Sequence, residues 1–293
     1  MSEGEFESDF SLAQADVAIV GLGLMGASLA LALRGHCRSL LGVDTDPNIV
    51  AIAKDRQVVD QASTQAEDIL PQANLIVLAV PVSGILRLIE QLPHLHPGNV
   101  LVMDLGSTKV EICSALETLP PRFDVVGGHP MCGKEFGGLQ HADAGMFTGS
   151  TFAFCELAGT SAGAKRLADQ LSQAIGSHSL WLEPQQHDEW TAATSHAPYL
   201  VSSALALSTD ELVSPLIGSG FESAARLAAS QPEVMLDILE TNREATLIAL
   251  SKTRQQIQAF ENLLKEDDNT VLKGKLAQAQ TKHQILLEAR RAQ

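Results

Sequence analysis

The sequence predicts an α/β fold, a doubly wound parallel sheet, followed by an all-α C-terminal domain. Three observations predict it. Strand-like apolar runs alternate with helical patterns through the first part of the chain, a glycine-rich turn joins the first such pair, and strand signals stop after "HSLWL" (178–182). The first strand is "DVAIVGLG" (16–23), and "LMGASLALALRG" (24–35) follows with helical spacing and Gly35 as a stop. "SLLGVD" (39–44) is the second strand, and "PNIVAIAKD" opens a helix with Pro47 in its first turn. "NLIVLAVP" (74–81) is almost wholly apolar, as a strand buried on both faces must be. "SGILRLIEQL", "NVLVMDL", "STKVEICSALETL" and "FDVVGG" continue the alternation, which implies right-handed crossovers. "STFAFCEL" (150–157), a helix over 161–175 and "HSLWL" complete this half, and everything from about residue 185 reads as helix. The expected division is an acidic, frayed tail over 1–15, an α/β domain over 16–183 and a helical domain over 184–293.

At 293 residues and 45% hydrophobic, the chain can bury the cores of two domains. Its net charge of -15, from 35 acids against 20 bases, argues against nucleic acid and anionic membranes as partners. No apolar run approaches the roughly 20 residues needed to cross a bilayer. The N-terminal "MSEGEFESDFSLAQAD" lacks the basic start of a secretory signal. Cys37, Cys113, Cys132 and Cys155 show no zinc spacing, so no metal is expected and a reducing cytoplasm is the assignment.

"GLGLMG" fits G-x-G-x-x-G with Gly21, Gly23 and Gly26, placed between a strand and a helix. Gly21 allows the tight turn, Gly23 the approach of a pyrophosphate and Gly26 close helix–strand packing, with the helix N-terminus offering N–H groups to phosphate. This makes the sheet a Rossmann-type dinucleotide-binding domain. Leu24 and Met25 of the motif, and Val80 and Pro81 at the end of the third strand, join the candidate cofactor contacts. Asp44 ends the second strand, where a carboxylate accepts from both ribose hydroxyls and repels a 2′-phosphate. NAD is therefore expected in preference to NADP, although Lys54 or Arg56 could still meet a 2′-phosphate.

"VGLGLMGASLALAL", "LAVP", "DLGSTK", "GGHPMCGKE", "HDEWTAATSHAPYLVSSAL" and "GFESAARLAASQPEVM" together resemble the prephenate/arogenate dehydrogenase family, from about residue 16 to 250. The resemblance implies NAD-dependent oxidative decarboxylation of prephenate to 4-hydroxyphenylpyruvate in tyrosine biosynthesis, with arogenate as the alternative substrate. It places the catalytic histidine at His129 and the serine that bonds the substrate hydroxyl and touches the nicotinamide at Ser107. A neutral imidazole suits the task because its ordinary pKa lies near neutrality. The competing readings are a glycine-rich turn in which His129 is only a filler, and a helix N-cap for Ser107, with Glu111 behind it.

Other site residues also follow from the resemblance. His196 and Tyr199 in "TSHAPYL" line the substrate pocket, on one face of a helix over about 186–207 that Pro198 bends. Tyr199 stands where the family commonly has a second histidine. Arg226 meets a substrate carboxylate through its planar fork. Glu222 stands where a base is frequent and would suit the ammonium of arogenate, while Glu135 lies at the cleft mouth. Cys132 reads as a packed small hydrophobe. The long helical stretch over 232–264 suggests a partner surface, and the family implies a homodimer built by the C-terminal domain. The tail over 270–293 has helical propensity. The rivals are a cleft dehydrogenase of the β-hydroxyacid or imine-reductase type, which would use a lysine that "TAATSHAPYL" lacks, and a non-catalytic nucleotide sensor or scaffold.

Overall fold

The computed structural model of the chain describes residues 10–134 and 136–291. In chain order its first part runs β1 (Asp16–Val20), α1 (Leu24–Leu33), β2 (Ser39–Val43), α2 (Pro47–Asp55), β3 (Gln61–Ser63), α3 (Ala66–Ile69), β4 (Leu75–Leu78) and α4 (Val82–Leu95). It continues with β5 (Val100–Asp104), α5 (Val110–Leu116), β6 (Phe123–Pro130), β7 (Thr151–Cys155), α6 (Ala162–Ala174) and β8 (His178–Leu182). The strands form one sheet in the order β3-β2-β1-β4-β5-β6-β7-β8. Chain order reverses between β1 and β4, which opens a crevice at the C-terminal ends of these strands.

Alternate residues of the central strands feed two cores. Val17, Ile19, Val77, Leu101 and Met103 pack with α1 and α6 on one face. Ala18, Val20, Ile76, Leu78 and Val102 pack with α4 and α5 on the other. Both faces are covered, so these strands are apolar throughout.

The predicted fold class stands, with one departure from an all-parallel sheet. β7 runs antiparallel to β6, pairing Ala153 with His129, while β7 and β8 are again parallel. A further correction concerns the glycine-rich segment around His129. It is not a turn there: β6 extends to Pro130 and carries Gly127, Gly128 and His129 as strand residues. The frayed tail is also shorter at its described end. Leu12–Gln14 form a 3-10 turn in which Leu12 is buried and its N–H donates to Gln170 Oε1 at 2.8 Å.

The helical part comprises α7 (Pro184–Thr191), α8 (Ala197–Leu207), α9 (Ser219–Ala225), α10 (Pro232–Thr241), α11 (Arg243–Lys265) and α12 (Asn269–Arg291). The single bent helix expected over 186–207 is two helices joined by a π turn, Ala192–His196. Pro198 has no N–H and would crowd the carbonyl of Thr194, and widening the turn absorbs this: Ala197 N–H reaches back five residues to Ala192 O. The long stretch over 232–264 is likewise broken, at Asn242, whose backbone leaves the helical region at φ -130°, ψ 40°. Among the described residues no helix is long and apolar enough to cross a membrane.

Candidate active site

At the β1–α1 turn, Gly21 takes φ +96°, and a Cβ there would come within 2.6 Å of Ala79 O. A Cβ on Gly26 would overlap the carbonyl oxygen of Gly21, so neither position admits another residue. Gly23, the N-cap of α1, has open space around it and caps the helix with no side chain. The first N–H groups of α1 are therefore left for an anion. Leu24 is buried, Met25 and Val80 are half-buried, and Pro81 forms the exposed N-cap of α4. Asp44 accepts from Leu22 N–H at 2.8 Å and Asp46 N–H at 3.0 Å, which pins its half-buried carboxylate beside this turn. Lys54 and Arg56 stand exposed at the far end of α2, about 12 Å along the helix from its start. The side-chain-free turn, the uncapped helix and the anchored acid fit a dinucleotide.

The second half of the site is built around β5 and β6. Asp104 ends β5 fully buried, paired with the equally buried Lys109, and accepts from Gly106 N–H at 2.7 Å and Gly128 N–H at 3.0 Å. Gly128 must approach this closely: a Cβ there would lie 2.5 Å from Asp104 O. This carboxylate thus locks β6 to β5 one residue before His129.

His129 then projects to α7. Its Nδ1 lies 2.9 Å from His187 Nε2, and His187 Nδ1 lies 2.8 Å from Asp188 Oδ1. Asp188 also accepts from the N–H groups of Lys109 at 2.7 Å and Val110 at 2.9 Å, capping α5 from a different element. Asn242 completes the cluster, donating to Asp188 O at 2.7 Å and lying 3.2 Å from His196 Nδ1.

Burial pushes the pKa of His129 well below 6.5, and His187, Lys109 and His196 add to the effect. Burial also lowers His187, against the pull of Asp188. His196 falls to about 4, through burial first. All three imidazoles are thus neutral near pH 7, and Nε2 of His129 has no hydrogen-bond partner among the described residues. A neutral imidazole with a vacant nitrogen can accept a proton.

The remaining candidates are placed as follows. Ser107 precedes α5 by three residues and is half-buried, with no hydrogen-bond partner for its hydroxyl among the described residues. It is not the N-cap. Lys109 holds that position, and Asp188 does the capping. His196 is 1% exposed and its Nδ1 is committed to Asn242 and Thr246 of α11, so it is enclosed and does not face an open pocket on that side. Tyr199 is half-buried on α8. Arg226 is exposed at the end of α9, on a turn packed against α8, and Glu222 is exposed on α9. Glu135 lies outside the described residues. Cys132 is half-buried against the core with its thiol raised by burial, as suits a packed hydrophobe.

Asp104, Lys109, His187, Asp188 and Asn242 were not singled out from the sequence. Only the adjacent "HDE" of α7 carried any signal, a histidine beside acids on a segment already of interest.

Two family models match the chain: "Prephenate dehydrogenase, nucleotide-binding domain" over residues 29–180, and "Prephenate dehydrogenase, dimerization domain" over 183–278. A prephenate dehydrogenase of Bacillus subtilis (strain 168) is 28% identical, over 86% of this chain and 71% of its own length. The structure of A. aeolicus prephenate dehydrogenase in complex with hydroxyphenyl propionate and NAD+ superposes with a TM-score of 0.86 at 26% identity, covering 94% of this chain and 100% of that one. Synechocystis arogenate dehydrogenase superposes with a TM-score of 0.80 at 27% identity, covering 92% and 99%. With both halves matched in order and a nicotinamide dinucleotide cradle in place, the chain is a dehydrogenase that belongs to the prephenate dehydrogenase family.

Proposed function

We propose that the protein oxidatively decarboxylates prephenate to 4-hydroxyphenylpyruvate with NAD, His129 acting as the proton acceptor. The observation that carries this reading is the neutral His129, whose Nε2 has no hydrogen-bond partner among the described residues, at the C-terminal edge of the sheet that also carries the β1–α1 turn. The N–H groups at the start of α1 would hold the pyrophosphate, and Asp44 the ribose hydroxyls. Asp44 and the remote position of Arg56 support NAD over NADP. A bound nicotinamide supplies the hydride acceptor.

The residues then divide the work. Ser107 offers its half-buried hydroxyl to the substrate's ring hydroxyl. His129 Nε2 takes the hydroxyl proton as the carbon bearing it gives up hydride. The bond from the ring to its carboxylate breaks, its electron pair enters the ring, and carbon dioxide leaves. The oxygen recovers its proton from His129, so the ring becomes an aromatic phenol and the base ends neutral. Because the product is aromatic, the chain needs no group to pull on the departing carboxylate. Arg226 would pair with a substrate carboxylate, and His196, Tyr199 and Glu135 would shape the pocket. The enzyme would act as a cytoplasmic homodimer; four unbridged cysteines and the match to a dimerization domain support this.

A second reading, arogenate as substrate, is favoured by exposed Glu222, whose carboxylate could meet an ammonium. Following NADH and NADPH formation from each substrate tests both. Prephenate with NAD should give the highest kcat/KM. A clear preference for arogenate that Glu222→Gln abolishes would replace the first reading by the second.

A further inference from the structure

The hydrogen bonds behind His129 can be assigned by counting donors. The Asp188 carboxylate takes two backbone N–H groups, from Lys109 and Val110, and its third neighbour is His187 Nδ1. A carboxylate is acceptor-only, so His187 Nδ1 carries the hydrogen and, in a neutral ring, Nε2 carries the lone pair. His129 Nδ1 faces that lone pair at 2.9 Å and must therefore donate. The hydrogen of neutral His129 is then on Nδ1, and its lone pair is on Nε2. Without this chain either nitrogen could hold the hydrogen, and a hydrogen on Nε2 would leave nothing to accept the substrate's proton.

We propose that His187 and Asp188 are positioning residues for the reaction: through Asp188–His187–His129 they fix the tautomer in which His129 Nε2 is the base. This rests on the reading of His129 as proton acceptor. No bond is made or broken at His187 or Asp188. When His129 is transiently protonated, its Nδ1–H remains on His187, and the carboxylate behind offsets the charge against Lys109 and His196, which face the same cluster. A single buried acid on α7 thus caps α5, next to Ser107, and orients the ring on β6, so the two hydroxyl-binding groups are held in register by one side chain.

The test uses His187 because Asp188 also caps a helix, and its loss would mix structure with chemistry. In His187→Leu, kcat should fall about 100-fold, the scale of a lost orienting group, with KM for NAD unchanged. In His187→Gln, whose side-chain carbonyl can accept the Nδ1–H, at least about a tenth of the activity should return, which a packing role would not restore. Nitrogen-15 NMR of the wild-type imidazoles should show His129 protonated at Nδ1 and bare at Nε2. Full activity in His187→Leu, equal losses in both variants, or a hydrogen on His129 Nε2 would overturn the proposal. If the relay alone is wrong, His129→Asn is inactive while His187→Leu is not; if the base reading is wrong, His129→Asn is active too.

Discussion

At His129, burial and three nearby cationic or imidazole groups act in one direction, against the charged form. The ring therefore stays neutral at pH values where an exposed histidine would be protonated, and a base needs that form. The acidic limb of the kcat/KM profile for prephenate should accordingly lie below pH 6.5. The same sign governs stability. His196, at about 4 in the folded chain against 6.5 as an ordinary imidazole, binds protons less well folded than unfolded. Its contribution is present above pH 6.5 and is lost as pH falls towards 4. A denaturant series at pH 7 and pH 5 should show a drop in stability that is smaller in His196→Gln. The residue-level picture was only partly legible in the sequence. His129, Ser107 and Asp44 lie in motifs whose local order announces them. His187 is 58 positions from the ring it supports, and the acids beside it in "HDE" do not by themselves say which ring that is.

Among the elements, β6 shows why glycine can mislead. "GGHPM" reads as a turn because glycine weakens strands, yet here it permits a strand to press against Asp104 and Cys113. The overlap is with backbone at Gly128, so Gly128→Ala should cost about 1–3 kcal/mol, read as a fall in Tm, and should displace His129 enough to lower kcat. An unchanged Tm and kcat would mean that β6 has slack. The parallel strands were legible because apolar runs and turns repeat regularly. The antiparallel β7 was not, since no local signal gives strand direction. The break at Asn242 was hidden for another reason: its amide serves Asp188 and His196, contacts made 46 or more residues away.

For the molecule as a whole, acids from the helical part weld it to the sheet. Asp188 caps α5, and Asp237 of α10 accepts from Ser83 N–H at 3.1 Å in the first turn of α4. Two of the helix N-termini near the crevice are filled this way, whereas that of α1 has no side-chain cap. Asp237→Ala should therefore loosen the pairing by about 1 kcal/mol, visible as a lower or broadened thermal transition. The helical part also leaves large apolar side chains in water, among them Leu207 at 90%, Leu212 at 86% and Leu216 at 88% exposed, with Leu264, Leu276 and Ile285 along α11 and α12. A monomer rarely carries so much. Light scattering should give about twice the 31.2 kDa chain mass, and a monomer at micromolar concentration would contradict the dimer. The central claim, that a neutral His129 accepts the substrate's proton, is met most directly by one comparison: NADH formation from prephenate by the wild type and by His129→Asn, with NAD binding measured in both. A loss of about 100-fold or more in kcat with NAD binding intact is the predicted result, and equal turnover in the two proteins would contradict it.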